Sequence, residues 1–402
     1  MGILRHWLGK RSGQPDREQS PEYDKDTILA TDLRTILREV NSPGQPSDMP
    51  RRVRLCRQAL NLTDRGPAPD LWAALQSMLG SSLAQNPQGE RAENIEQAIH
   101  HFKQALEIRT RTESPEQWAG IQNNLANAYA DRTRGVRAEN IDQAIHHYRQ
   151  ALQVITRIAL PGQWAMTQHN LASAYADRIH GERAENIEQA IHHFKQALEV
   201  RTRAEFPEQW ALSRHSLANA YTDRIHGELA ENIEQAIHHF EQALKVRTRT
   251  ALPKDWAAAR RDLARAYLLR IRSERAENIE QAIQHFEQAL EVHTQADSPK
   301  DWALIQHDLA RAYLLRIRSE RAENIEQAIH HFRQALEVYT RADLPEQWAL
   351  IQHDLAHAYS ERIHGERAEN IEQAIHHFGQ ALEVYTTGRF ARRIQTNAMG
   401  SR

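Results

Sequence analysis

One short segment returns almost unchanged along the chain and constrains its architecture. It first occurs at residues 91–104 as RAENIEQAIHHFKQ. Its asparagine recurs every 46 residues (140 − 94), at Asn94, Asn140, Asn186, Asn232, Asn278, Asn324 and Asn370. A fixed period of this size is typical of stacked helical units, each of which packs only on its neighbours. The sequence therefore predicts an all-α repeat array rather than one globular core.

Each period contains two helical patterns, which we call the A helix and the B helix. The A pattern carries a recurring tryptophan, at Trp72, Trp118, Trp164, Trp210, Trp256, Trp302 and Trp348. From the second repeat on, a proline such as Pro115 stands three residues earlier and suits the first helical position, with Ser114 as a cap. We expect the A helix to end near a glycine such as Gly135, because glycine tolerates positive φ.

The B helix is predicted to begin at Asn94, with this asparagine as N-cap and Gln97 completing a capping box. Apolar residues then follow at helical spacing, which places them on one buried stripe. This stripe consists of Ile95, Ala98, Ile99, Phe102, Ala105 and Leu106. The small alanines alternate with large side chains, so a neighbouring helix can approach closely.

The two ends of the chain depart from the repeat. Residues 1–24 are polar and are expected to be a disordered tail, and residues 25–68 to be a degenerate capping helix pair that keeps the register. Seven repeats occupy residues 69–387, and residues 388–402 are interpreted as a tail. The last B helix has no following A helix. Three explanations remain open, namely a lost downstream domain, self-association through this end, and a cap formed by the tail.

Composition excludes several classes of partner. The chain has 51 Lys and Arg against 53 Asp and Glu, so no strong field attracts nucleic acid, and neither nucleic acid nor a membrane is expected as a partner. The single cysteine, Cys56, falls at the register position of Phe102, and a buried apolar role is expected for it. One cysteine cannot form an intrachain disulfide, which is compatible with the expected cytoplasmic location.

Small and aromatic residues at fixed positions suggest a family. Leu125-Ala126 followed by Tyr129, and then Ala144, Tyr148 and Ala151, resemble the tetratricopeptide repeat (TPR) over roughly residues 25–387. The resemblance implies a right-handed superhelical solenoid of helix-turn-helix units, although the family period is 34 residues. The longer form with tryptophan and RAENIEQAI is similar to bacterial arrays that often precede a caspase-like CHAT protease domain, which is not recognised in these 402 residues.

The resemblance also implies that the A helices line a concave groove that binds partners. Two sets of positions are expected to be exposed there. The first is Asn123, His169, His215, Arg261, His307 and His353, and the second is Asn127, Ser173, Asn219, Arg265, Arg311 and His357. The arginines suit carboxylates, and Leu269 and Leu315 would add an apolar floor, so an acidic peptide or domain is the expected ligand. Two alternatives remain: Asp262 and Asp308 neutralise the arginines, or exposed positions simply drift.

No catalytic chemistry is predicted. Adjacent histidines such as His100 and His101 point about 100° apart on a helix, so they cannot chelate a metal together. His353 and His357 approximate H-E-x-x-H, but Asp354 replaces the glutamate. We therefore expect no metal, no cofactor and no enzyme activity. The expected function is a non-catalytic protein–protein interaction scaffold. The alternative is the regulatory array of a bacterial signalling or effector system whose catalytic domain is absent from this chain.

Overall fold

The computed structural model describes residues 25–40, 42 and 44–399. The predicted tail, residues 1–24, lies outside this part of the chain. Two compact units, residues 1–128 and 129–402, are described separately. Within the described residues no strand occurs, and no helix combines the length and apolar character needed to cross a membrane.

All regular structure is helical, which confirms the predicted fold class. The first unit contains α1 (Lys25–Val40), a short 3₁₀ helix (Pro46–Asp48), α2 (Met49–Asn61), α3 (Pro69–Ala84), α4 (Arg91–Leu106) and most of α5 (Pro115–Ala130). The second unit contains α6 (Arg137–Leu152), α7 (Pro161–Ala176), α8 (Arg183–Leu198), α9 (Pro207–Thr222), α10 (Leu229–Leu244), α11 (Pro253–Leu269), α12 (Arg275–Leu290), α13 (Pro299–Leu315), α14 (Arg321–Leu336), α15 (Pro345–Glu361) and α16 (Arg367–Met399). From α3 on, odd-numbered helices are A helices and even-numbered helices are B helices.

The A helices begin at proline, as predicted. Pro161 opens α7, and the N–H of Trp164 donates to the Leu160 carbonyl at 2.8 Å. At α13 the preceding residue is Ser298, yet its side chain caps no backbone N–H. Its Oγ lies 2.8 Å from His293 Nδ1 instead. The hydroxyl at this position is used by the preceding connector, and Ser114 likewise donates its Oγ hydrogen to the Thr110 carbonyl at 3.5 Å.

The predicted start of the B helix is also wrong. The helix begins at Arg91, three residues before Asn94, and Asn94 is buried inside its first turn. The same asparagine ties down the A-to-B connector in every repeat. In the second unit, Asn278 Nδ2 donates to the carbonyls of Arg272 at 3.0 Å and Arg270 at 3.3 Å. A buried amide therefore satisfies connector carbonyls that lack a partner in regular structure.

The connectors contain one residue with positive φ per repeat. Gly181 and Gly227 have φ of 81° and 82°, and this confirms the role predicted for glycine after the A helix. Ser273 and Ser319 occupy the same register position with φ of 73°. Because a Cβ disfavours this left-handed conformation, the two serine connectors are strained relative to the glycine connectors.

The core of each repeat is the B-helix stripe. In α10 five of the six predicted stripe positions, Ile233, Ala236, Ile237, Phe240 and Ala243, are buried, whereas the sixth, Leu244, is half-buried. In the first unit a Cβ on Gly80 would lie 2.9 Å from Phe102 Cε1, so the phenylalanine ring requires a glycine there. Cys56 is buried, as expected, and burial raises the pKa of its thiol to about 11.

Within the second unit, neighbouring repeats make two kinds of contact. Each B helix packs against the next A helix, and each A helix from α7 to α13 also touches the A helix of the following repeat. A bidentate ion pair reinforces these contacts. For example, Arg270 after α11 holds Glu234 on α10, with Nε–Oε1 at 2.7 Å and Nη2–Oε2 at 3.0 Å. The A helices therefore form one continuous layer in this unit.

The last helix differs from the predicted boundary. The sequence suggested a tail from residue 388, but α16 continues to Met399 and has 33 residues. The preceding helices of the second unit have only 16 or 17. The repeat pattern stops after Thr386 while the backbone remains helical. The end of the sequence repeat therefore does not mark the end of the helical backbone.

Candidate partner-binding face

The predicted groove residues of α7, α9, α11, α13 and α15 share one surface of the second unit, which we call the A face. Asn123 and Asn127 belong to α5 and are placed in the first unit. Asn123 is buried and Asn127 is half-buried. On the A face, the two predicted sets of residues differ in how exposed their side chains are.

The first set is not exposed as expected. His169, His215 and His307 are buried, and Arg261 and His353 are half-buried. The three buried histidines point toward the next A helix, where His169 Nδ1 lies 3.1 Å from Ser213 Oγ. His215 Nε2 lies 3.0 Å from Asp262 Oδ2, and His307 Nε2 lies 2.9 Å from Asp354 Oδ2. The three buried histidines therefore join neighbouring repeats and offer little surface to a ligand, whereas the His353 side chain is 43% exposed.

Arg261 is engaged by the residue beside it. Its Nη2 lies 2.8 Å from Asp262 Oδ1, and its side chain is 19% exposed, against 55% for Arg265 and 58% for Arg311. Burial raises the pKa of Asp262, but the His215 hydrogen bond and the Arg261 charge outweigh it and hold the pKa below its ordinary value. The alternative that aspartate neutralises an arginine is thus correct for Arg261.

Asp308 occupies the same register position as Asp262 but has lost its hydrogen-bond donor. In the neighbouring repeats the donor is a histidine of the preceding A helix, His215 or His307, but the corresponding residue for Asp308 is Arg261. Arg261 instead binds Asp262. Asp308 Oδ2 is buried without a hydrogen-bond partner, and the nearest cation is Arg265, whose Nε is 3.8 Å away. Burial raises the pKa of Asp308 despite the surrounding arginines.

The second set is more accessible. Arg265 and Arg311 are exposed and make only long ion pairs, each with Nε 3.8 Å from a carboxylate oxygen, of Asp308 and Asp354 respectively. Asn219 and His357 are also exposed. Ser173 is half-buried and donates to the carbonyl of His169 at 3.2 Å. The two arginines are therefore the charged groups of the second set that point into solvent.

An apolar patch lies beside these arginines. Leu269 and Leu315, one turn after Arg265 and Arg311, are both exposed. One repeat before Leu269 the same register position holds Asp223, whose Oδ2 is 2.8 Å from Arg183. One period later, Leu229 stands at the position of Arg183 and Leu269 at the position of Asp223, and both leucines are exposed. Two exposed leucines therefore occupy the positions at which the preceding repeat has an exposed ion pair.

A further apolar row on the A face was missed in the sequence. Met166, Leu212 and Leu350 are exposed. They precede Ser173, Asn219 and His357 by seven residues, about two helical turns, and so lie on the same side of each A helix. The sequence could have revealed these residues, because a large apolar residue recurs there with the repeat period although the position lies outside the buried stripe. Exposed apolar side chains therefore lie beside the second set of predicted residues on the A face.

The paired histidines of the B helices have a structural role. The first of each pair, such as His192, is exposed, whereas in the second unit the second of each pair stacks on a tyrosine of its own repeat. His193 lies parallel to Tyr175 with ring centroids 5.6 Å apart, and its Nδ1 is 2.7 Å from Gln168 Oε1. Burial lowers the pKa of His193 to about 4. These histidines thus pack as neutral rings within a repeat.

The side chains of the His353–His357 motif also contact other side chains of the protein. The two rings lie 4.9 Å apart, and Asp354 binds both His353 Nδ1 at 3.2 Å and His307 Nε2. Among residues 25–40, 42 and 44–399, no group of three or more His, Cys, Asp or Glu is arranged to hold a metal ion. Asp354 therefore serves the contact between repeats.

Comparison with known families and structures identifies the fold. The Sel1 repeat matches residues 73–107, 122–153, 165–199, 212–245 and 257–291, and the soluble NSF attachment protein (SNAP) family matches residues 276–399. The comparison with curated proteins found no match. Two solved structures superpose with a TM-score of 0.58. The apo form of RapI is 13% identical, over 92% of this chain and 99% of its own. A signal-transduction ATPase with numerous domains (STAND) from Pyrococcus horikoshii, which has a TPR sensor, is 17% identical, over 94% of this chain and 55% of its own.

This chain has the fold of a TPR-like helical repeat array. The resemblance drawn from Leu125, Tyr129 and the later alanines is confirmed by the Sel1 matches and by the stacked helix pairs. At these low identities the solved structures establish the fold alone.

Proposed function

We propose that this protein is a non-catalytic scaffold that binds a partner peptide or domain on the A face of the second unit. One observation carries the proposal. In two successive repeats, Arg265 and Arg311 expose their guanidinium groups, and each is followed one turn later by an exposed leucine. Repeats of this fold typically serve protein–protein interaction, which supports the functional class.

The spacing of these groups defines the chemistry of the ligand. Packed helices lie about 8–10 Å apart, so guanidinium groups on neighbouring A helices match carboxylates about three residues apart on an extended segment rising about 3.3 Å per residue. Exposed Leu269 and Leu315 can receive apolar side chains between or beside those carboxylates. The proposed ligand is an acidic segment with apolar anchors.

The experiment compares two charge reversals of equal size. Wild type, Arg265→Glu/Arg311→Glu and the control Arg157→Glu/Arg249→Glu are used to capture partners from native lysate, and the captured protein is then purified. The control arginines are 55% and 56% exposed and lie in B-to-A connectors. Calorimetry should show that the A-face variant binds the purified partner at least about tenfold more weakly, since charged hydrogen bonds contribute about 1.5–3 kcal/mol each. Equal binding by both variants would contradict the proposal.

A second candidate is a regulatory sensor array. It is supported by the shared fold with the STAND protein, whose TPR region is described as a sensor. The two candidates differ in what the partner does. If the purified partner is an NTPase or protease whose turnover changes when the array is added, the protein is a regulator. An unchanged turnover, or a partner without activity, supports the scaffold.

A further inference from the structure

Among the described residues, the apolar stripe of the last B helix is exposed. Ile375 on α16 is 66% exposed, whereas the equivalent isoleucines of the six preceding B helices are only 3–5% exposed. Those six are Ile99, Ile145, Ile191, Ile237, Ile283 and Ile329. Leu382, seven residues after Ile375, is also exposed. This contiguous apolar surface is of the kind that marks an interaction site.

The residue between these two side chains has also changed. In the earlier B helices this position is charged, as Lys103, Arg149, Lys195, Glu241, Glu287 and Arg333, but in α16 it is Gly379. Arg149 and Arg333 donate to Tyr175 and Tyr359 on the following A helix. A Cβ on Gly379 would meet nothing within 4 Å, so the chain's own packing does not require glycine. At Gly379 the chain therefore lacks the charged side chain that, in two earlier repeats, donates to a tyrosine of the following A helix.

Gly379 lies between the two exposed apolar side chains, four residues after Ile375 and three residues before Leu382. Ile375, Gly379, Leu382 and Thr386 follow at spacings of four, three and four, the pattern of a helix-pairing seam. In an antiparallel pair centred beside Gly379, between residues 378 and 379, Ile375 of one copy meets Leu382 of the other. Glycine at the crossing point allows the two backbones to come close. This self-complementarity is what a two-fold contact between identical chains requires.

We propose that the α16 stripe, Ile375, Gly379, Leu382 and Thr386, is a dimer interface that binds the same stripe of a second copy. The contact joins one copy's α16 antiparallel to its partner's. It closes at two chains because each copy uses the same surface, so no larger assembly forms. The A face is a different surface of the unit, so the dimer and the proposed partner binding can fail independently.

Sedimentation equilibrium of the full chain tests the interface. Wild type should sediment as two chains at micromolar concentration. Gly379→Arg, which restores the charge found at Arg333, and Leu382→Glu should each shift the species to one chain while leaving the circular dichroism spectrum unchanged. Ile271→Glu is the matched control, because Ile271 is also 66% exposed but lies in a connector, and it should remain a dimer. A single-chain wild type, or a dimer unaffected by both α16 variants, would overturn the proposal.

Cross-linking gives a second test that does not depend on folding of a charged variant. Gly379→Cys should form an intermolecular disulfide on a non-reducing gel, because a two-fold contact centred there brings the two cysteines together. The native Cys56 is buried with a raised thiol pKa and should not compete. Ile271→Cys should cross-link far more slowly. Equal rates for the two variants, or species larger than two chains, would contradict a closed interface at Gly379.

Discussion

Two aspartates at one register position should respond in opposite ways to the same substitution. Asp262 is held by His215 at 3.0 Å and by Arg261 at 2.8 Å. Asp308 has a buried Oδ2 without a hydrogen-bond partner. We predict that Asp262→Asn destabilises the array and that Asp308→Asn stabilises it. The shape of the side chain is kept in both cases, so the difference isolates the charge and its partners.

The magnitudes follow from the two environments. Removing one member of a buried ion pair costs about 3–5 kcal/mol, and asparagine keeps one acceptor oxygen, so we expect a loss of about 3 kcal/mol for Asp262→Asn. An unsatisfied buried charged group costs about 1–3 kcal/mol or more. Arg265 at 3.8 Å offsets part of that cost for Asp308. The expected gain for Asp308→Asn is therefore about 1 kcal/mol.

The pH dependence has opposite signs at the two positions. The pKa of Asp308 is raised above its ordinary 3.8 by burial, so its contribution is most favourable below pH 3.8 and is lost as pH rises through the folded-state pKa. For Asp262 the pKa is lowered, so its stabilisation is present above pH 3.8 and is lost as pH falls through the folded-state pKa. The gain from Asp308→Asn should consequently be present at neutral pH and vanish in acid.

Urea denaturation followed by circular dichroism at neutral and acidic pH measures these changes. Hydrogen exchange of α11 and α13 should accompany it, because repeat arrays open locally. Asp177→Asn, at an exposed residue, is the control and should change stability by less than about 0.5 kcal/mol. Equal destabilisation by Asp262→Asn and Asp308→Asn at neutral pH would refute the assignment of a satisfied and an orphaned carboxylate.

Three further predictions concern the repeat itself. Asn278→Ala should cost about 2 kcal/mol in urea denaturation because two connector carbonyls lose their donor; no loss would show that the connector is held by other groups. Ser273→Gly and Ser319→Gly should each gain about 1 kcal/mol by removing a Cβ at positive φ, whereas Ser273→Ala should gain nothing in the same assay. Burial lowers the pKa of His331 to about 4 and of His239 to about 3, so the stability that these neutral rings provide is complete above pH 6.5 and is lost as pH falls toward 4. An acid titration of helicity should therefore show unfolding in that window, and full helicity at pH 4 would contradict it.

Much of the fold follows from the sequence because each repeat specifies itself. The 46-residue period and the stripe around Ile99 and Phe102 predicted helix pairs, and the structure confirms them. Asn94 was misread because an asparagine before an apolar run is compatible with a cap and with a buried tie to the preceding connector. Only the actual helix start, three residues earlier, distinguishes the two.

The candidate site was less predictable because it depends on contacts between repeats. Whether His215 faces solvent or the next A helix is decided by the separation of A helices, which local spacing does not encode. Likewise, Arg261 could have bound Asp308 in the following repeat, but it binds Asp262 beside it. The exposure of Arg265 and Arg311 was anticipated, and each contacts the next A helix only through a long ion pair, with its Nε 3.8 Å from an aspartate.

Site-specific photo-cross-linking tests the proposed binding face most directly. A photo-reactive amino acid is placed at Leu269 or Leu315 on the A face, or at Ile158 in a B-to-A connector as an exposed control. After irradiation with the purified partner, the account predicts cross-links from positions 269 and 315 that map to an acidic segment of the partner, and none from position 158. Cross-links from position 158 alone, or equal yields at all three positions, would contradict binding on the A face.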